Sequence, residues 1–137
     1  MVNSNLGVND AQVHNVLAND ETEWLAEDGQ GFVLRTRSCE RKITGVRIKN
    51  AEQPRSSKSV RISSAIAFKD SWNILAETDM EENTGTVTIH FSQSVLVRFI
   101  KFELLSFYYG ESGGLRFFFP TTGFVYIFLY FIKTDGF

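Results

Sequence analysis

Thr86-Val87-Thr88-Ile89-His90-Phe91 sets an apolar residue at every second position and a polar one between each pair. Strand side chains point alternately to the two faces. This stretch therefore predicts a β-strand with one face in a core and the other in water. The same period continues outward along the chain. Val60 and Ile62 alternate with Arg61 and Ser63, and Val46 and Ile48 flank Arg47. The run Val95 to Leu105 has apolar residues at both parities, and reads as one long central strand buried more completely. The expected inward face holds Val46, Ile48, Val60, Ile62, Val87, Ile89, Phe91, Ile100 and Phe102.

Turn-forming clusters separate these runs: Glu27-Asp28-Gly29-Gln30-Gly31, Asn50 to Ser57, Lys69-Asp70-Ser71, Glu81 to Gly85 and Gly110 to Gly114. Short strands punctuated in this way, without a long helical period, predict an all-β chain folded as an antiparallel jelly-roll β-sandwich. The first twenty residues carry no clear period. Val13, Val16 and Leu17 fit one helical turn or a loop on the sheet edge. No repeat or low-complexity tract is present.

A chain of 137 residues fits one domain with a real core. Thirteen Phe against two Pro and ten Gly describe an aromatic-rich folded chain rather than a disordered one. The net charge of -2 argues against a nucleic-acid surface, which needs clustered Lys and Arg in excess. Cys39 is the one cysteine, so no intrachain disulfide forms. Met1 to Asp10 lacks a basic stretch followed by an apolar run, so no secretory signal is read there. An extracellular location is expected if the chain is a fragment of a secreted or membrane parent, and an intracellular one otherwise.

Gly123 to Ile132 runs without a charge but is bounded by Pro120 and Arg116. A spanning helix needs about 20 apolar residues, so a final strand or an adhesive tail is the simpler expectation. Membrane contact through this tail is the alternative. Pro120 and Gly123 are expected to break the chain between domain and tail, because Pro cannot continue a ladder.

From Asp20 to Phe119 the order of landmarks resembles the discoidin (F5/8 type C) family within the galactose-binding-like group. Asn19-Asp20-Glu21-Thr22-Glu23-Trp24 is similar to the family's acidic loop ending in Thr-x-Trp. Ile43 to Asn50 resembles its second core strand, which leads into a protruding loop. Val60 to Ser64 with Asp70-Ser71-Trp72 resembles the strand that closes on a Ser, Asp and Trp turn. Val97 to Phe102 looks like the Arg-aromatic-aliphatic strand, and Gly113-Gly114-Leu115-Arg116-Phe117-Phe118 like the Gly-Gly-Leu strand that finishes the domain. The matched domain is thus 1–119, with 120–137 an apolar tail outside it. One departure falls at the first core strand. Phe32 and Thr36-Arg37-Ser38 stand where the family has Trp and Asp-Leu-Gly, which removes an acidic partner for charged neighbours.

The resemblance implies a non-catalytic recognition module that binds carbohydrate or glycan through loops at one end of the sandwich, in cell adhesion or targeting. Those loops are Trp24 to Gln30 and Ala51 to Lys58. Gln53, Arg55 and Lys58 offer donors that suit sugar hydroxyls, carboxylates or phosphates. Glu27, Asp28 and Gln30 offer acceptors, and Trp24 either stacks on a sugar or anchors its loop. Asn19, Asp20 and Thr22 are the hard oxygen donors expected of a structural calcium site, and ordinary turn formers otherwise. The alternative partners are a protein within a larger intracellular assembly and a phospholipid head group. Enzyme activity is not expected. His14 and His90 stand in no catalytic spacing, and Cys39 beside Arg37, Arg41 and Lys42 is a lone thiol in a turn.

Overall fold

The computed structural model describes residues 24–26, 30–36, 40–67, 71–82, 85–110, 113–121 and 129–133. They form nine strands: β1 (Trp24–Ala26), β2 (Gly31–Thr36), β3 (Arg41–Asn50), β4 (Ser59–Ala65), β5 (Asn73–Asp79), β6 (Val87–Val97), β7 (Phe99–Leu104), β8 (Gly113–Thr121) and β9 (Leu129–Lys133). One sheet has the order β1-β8-β3-β6 and the other β5-β4-β7-β2-β9, and every pair is antiparallel. The expected all-β sandwich is therefore present. No helix among the described residues is long and apolar enough to cross a membrane.

The core lies where the alternating positions of both sheets meet. Val60 and Ile62 from β4, Ile100, Phe102 and Leu104 from β7, and Val46 and Ile48 from β3 are fully buried. Phe32 and Phe102, opposite each other in the ladder, stack at 5.2 Å. Phe118 of the facing sheet meets them edge-on at 5.4 and 5.6 Å. Stacked and edge-on rings satisfy the aromatic quadrupole as well as burying area, so this trio ties the two layers together. Gly31 is fixed by crowding, because a Cβ there would run into the carbonyl of Phe102.

Two expectations about strands are corrected. Val95 to Leu105 is not one strand. The chain leaves the four-stranded sheet at Val97 and enters the other at Phe99. Arg98 makes the corner. Its amide donates to Ala65 O at 3.1 Å, and its carbonyl accepts from Thr36 N at 2.9 Å. The Arg98 guanidinium donates to Thr36 Oγ1 at 3.0 Å and also to the Thr36 carbonyl. Thr36, fully buried, thus supplies oxygens to an arginine at the position where the resembled family has an acidic residue.

Val87 is not inside; it is 39% exposed, and Ile89 and Phe91 are only half-buried. The cause is position. β6 is the edge of its sheet and pairs only with β3 among the described strands. The ladder also slips, with Ile43 opposite Val95 but Gly45 opposite His90, so Phe91 to Ser94 stand out of register. An irregular edge of this kind discourages pairing with another chain.

The expected break at Pro120 is also absent. Pro120 lies within β8 opposite Val46, beyond the reach of β1, where β8 has only β3 as a described neighbour. A proline is tolerated where its missing N–H faces no partner strand. Farther on, β9 runs antiparallel along β2 and forms the edge of the five-stranded sheet.

Candidate functional site

The strand registers decide which loops share an end. Ala26 faces Gly113, Asn50 faces Leu115, Ser59 faces Asp79, and Gly31 faces Glu103. The ends of β1, β3, β5 and β7, at Ala26, Asn50, Asp79 and Leu104, therefore lie at the same end of the sandwich. The turn after Asn50 is the longest described there, and its conformation is dictated by one side chain.

Asn50 is buried at the last position of β3. Its Oδ1 accepts from the amides of Ala51 and Ser57, both at 2.9 Å. Its Nδ2 donates to Ser57 O at 2.9 Å and Glu81 O at 3.1 Å. A carboxamide holds a donor and an acceptor on one planar group, so Asn50 can close the loop and tie it to the neighbouring turn at once. Ser56 Oγ donates to Ala51 O at 3.1 Å, and Ser57 Oγ to Gly114 O at 2.7 Å. Between these buried anchors the chain turns outward, with the amide of Arg55 bonded to Glu52 O at 2.8 Å and a cis Gln53–Pro54 peptide bond. Glu52, Gln53, Pro54, Arg55 and Lys58 are all exposed. Glu52 is held by Arg116 Nη1 at 2.9 Å.

The turn after β7 rises beside this loop and carries two tyrosines, Tyr108 and Tyr109, each 38% exposed. The amide of Tyr108 donates to Ser56 O at 3.1 Å, and its phenol to Met80 O at 2.6 Å. Lys58 Nζ stands 5.9 Å from the centre of the Tyr108 ring, within cation–π range. Hydrogen bonding to Glu82, then slight desolvation and the Glu82 charge, hold the Tyr109 phenol above its ordinary pKa. Glu82 also accepts from Gln53 Nε2 at 3.2 Å. Three loops are thereby joined through two aromatic rings, the Lys58 cation, a carboxamide and a carboxylate, and Arg55 stands exposed in the first of these loops. Rings with polar tips, next to donors and an acceptor with fixed geometry, can bind a small polyhydroxylated ligand by its apolar faces and its hydroxyls together.

Of the residues expected from sequence, Gln53, Arg55 and Lys58 are exposed in the loop after β3. Gln30 is brought to the same end, half-buried, with its carbonyl accepting from Leu104 N at 2.8 Å. Trp24 is a strand residue, opposite Leu115 in β1. Glu27 and Asp28 lie outside the described residues, as do Asn19, Asp20 and Thr22. Among the described residues no cluster of three His, Cys, Asp or Glu could hold a metal ion. Tyr108, Tyr109 and Glu82 were not expected. The available signal was the pair Tyr108-Tyr109 directly before the glycine-rich Gly110 to Gly114 turn, which places aromatic rings on an exposed loop.

No protein-family model matches the sequence, and no curated protein matches it. Solved structures do. The CBM32-1 module of a family 31 glycoside hydrolase from Clostridium perfringens superposes with a TM-score of 0.65 at 14% identity, over 78% of this chain and 82% of the module. The CBM32 of AlyQ, in complex with 4,5-unsaturated mannuronic acid, gives 0.67 at 12% identity over 84% of each chain. The family 32 module of C. perfringens NanJ, in complex with galactose, gives 0.60 at 15% identity over 76% of this chain and 80% of the module. At this level of identity the likeness is one of fold: the chain has the β-sandwich that these carbohydrate-binding modules share.

Proposed function

We propose that the chain is a non-catalytic glycan-recognition module of discoidin type, binding sugar at the loop end of the sandwich and serving adhesion or targeting. The observation that carries this is the surface where Tyr108 and Tyr109 stand exposed beside Gln53, Lys58 and Glu82, with Arg55 exposed in the same loop as Gln53 and Lys58. Neighbours of the same fold are known with galactose and with an unsaturated mannuronic acid bound. The proposed roles follow from chemistry. The tyrosine rings cover the C–H face of a sugar, while Arg55 and Lys58 donate to hydroxyl or acidic oxygens. Glu82 accepts from hydroxyls and holds Tyr109 in place. A scaffold that needs only to bind has no use for a tuned acid and base, and a recognition role fits this donor set without one.

A glycan array probed with the whole chain and with Tyr109→Ala tests the reading. Signal on a set of related glycans, lost in the variant at unchanged melting temperature, supports it. Absence of signal across the array would contradict it.

A further inference from the structure

We propose a second sugar subsite on the flank of the sandwich, accepting a neutral or amino-bearing ring and turning away sugars that carry a carboxylate. It rests on the glycan-binding reading above. A cavity of about 260 Å³ lies between the end of β5 and the start of β6, and Thr78, Asp79, Met80, Glu81, Val87 and Ile89 are its described lining. Its floor is apolar: Met80 is 5% exposed and Ile89 half-buried, while Val87 stands at the mouth. Its rim is acidic, since Asp79 and Glu81 are both exposed. A largely apolar concavity with a few placed polar groups is the usual form of a small-ligand site.

The cavity adjoins the tyrosine surface. Residues 80–82 form the wall between them. Met80 O accepts from the Tyr108 phenol at 2.6 Å, and Glu81 O from Asn50 Nδ2 at 3.1 Å. On one side of this wall Glu82 meets Tyr109, and on the other Met80 floors the cavity. A ligand of two rings can therefore straddle the wall, with one ring on the tyrosines and the other in the cavity. Bonds to Ser57 and Glu81 from one Asn50 side chain fix the wall in position, so both places are presented together.

The rim sets the selectivity. Ionised carboxylates only accept hydrogen bonds, so Asp79 and Glu81 complement hydroxyls, acetamido N–H groups and ammonium. Asp79 is already oriented by Ser59 Oγ at 2.6 Å. No lysine or arginine is among the described lining residues to offset these charges. A uronic or sialic acid ring would place like charge against like, and repulsion of this kind is what separates close ligands. The apolar floor suits the C–H face of a ring or an acetamido methyl.

Calorimetry with the whole chain tests this, using the monosaccharide that scores highest on the glycan array. Its disaccharides extended with N-acetylglucosamine and with glucuronic acid complete the series. The N-acetylglucosamine disaccharide should bind about tenfold tighter than the monosaccharide, and the glucuronic acid one no tighter. Val87→Trp, which fills the mouth from an exposed position, should remove that gain and leave monosaccharide affinity unchanged. Glu81→Lys should raise the affinity of the glucuronic acid disaccharide several-fold. Equal affinity of the monosaccharide and both disaccharides, or no response to either substitution, would overturn the subsite while leaving the glycan-binding reading intact. If no sugar on the array binds, that reading fails and the subsite falls with it.

Discussion

The Glu82 carboxylate raises the pKa of the Tyr109 phenol, and Glu82 accepts a bond from Gln53 Nε2 at 3.2 Å. An exposed aromatic ring is thereby set beside a carboxylate that is itself held from a neighbouring loop. The arrangement has a consequence in alkaline solution. Its phenol pKa is raised in the folded chain, so the bond contributes stability that is fully present below the ordinary phenol value. That contribution is lost as the pH rises through the folded value. The phenolate absorbance of Tyr109, isolated by difference against Tyr109→Phe, should titrate above the ordinary range in wild type. It should move back toward that range in Glu82→Ala. An unchanged titration in the Glu82 variant would show that the bond does not persist in solution.

Asn50 is the side chain on which the binding loop depends. Asn50→Ala removes the acceptor for Ala51 N and Ser57 N and the donor for Ser57 O, all buried, and the donor for the part-buried Glu81 O. Orphaned buried groups cost more than the bonds themselves contribute, so a loss of roughly 2–4 kcal/mol is expected on chemical denaturation. Glycan affinity should fall with it. Full stability in the variant would mean that water replaces the side chain without cost.

The edge position of β6 separates two residues that look alike in the sequence. Ile100 is fully buried in β7, and Val87 is 39% exposed in β6. Ile100→Ala should destabilise by roughly 2–5 kcal/mol. Val87→Ala should stay within about 0.5 kcal/mol of wild type. Equal losses in urea titrations would show that the β6 edge is covered in solution.

The alternation of Val46 with Ile48 and of Val60 with Ile62 was enough to identify β3, β4 and their inward faces, because both strands have neighbours on either side. The corner at Arg98 was also written in the chain, as a change of phase. Val95 and Val97 point inward, and then Ile100, Phe102 and Leu104 do, so the period of two breaks between 97 and 100. A run with apolar residues at both parities is also the pattern of a doubly buried strand, so the pattern alone does not separate the two. Whether an alternating strand lies at an edge depends on its partners, which is why Val87 was misplaced. At the candidate site, the exposure of Gln53, Arg55 and Lys58 was legible because one loop carries them all. Tyr109 and Glu82 were not, since they come from different turns and meet only through the fold.

The chain after β8 contributes β9, an edge strand paired only with β2 among the described strands. We expect a chain ending at Thr121 to unfold cooperatively, because β2 keeps its ladder to β7 and the Phe32–Phe102–Phe118 contacts are untouched. A lower melting temperature is expected, since β2 loses one of its two neighbours. Broad, non-cooperative melting would show instead that β9 is integral to the domain.

The central claim is that sugar binds at the surface made by Tyr109 and the loop that carries Arg55 and Lys58. Titration calorimetry with the strongest sugar from the array, on wild type, Tyr109→Ala and the Arg55→Ala, Lys58→Ala double variant, tests it most directly. Each variant should lose about tenfold or more in affinity, on the scale of one good polar or aromatic contact, while the melting temperature stays within a few degrees of wild type. Wild-type affinity in both variants would place the sugar elsewhere on the molecule and contradict the account.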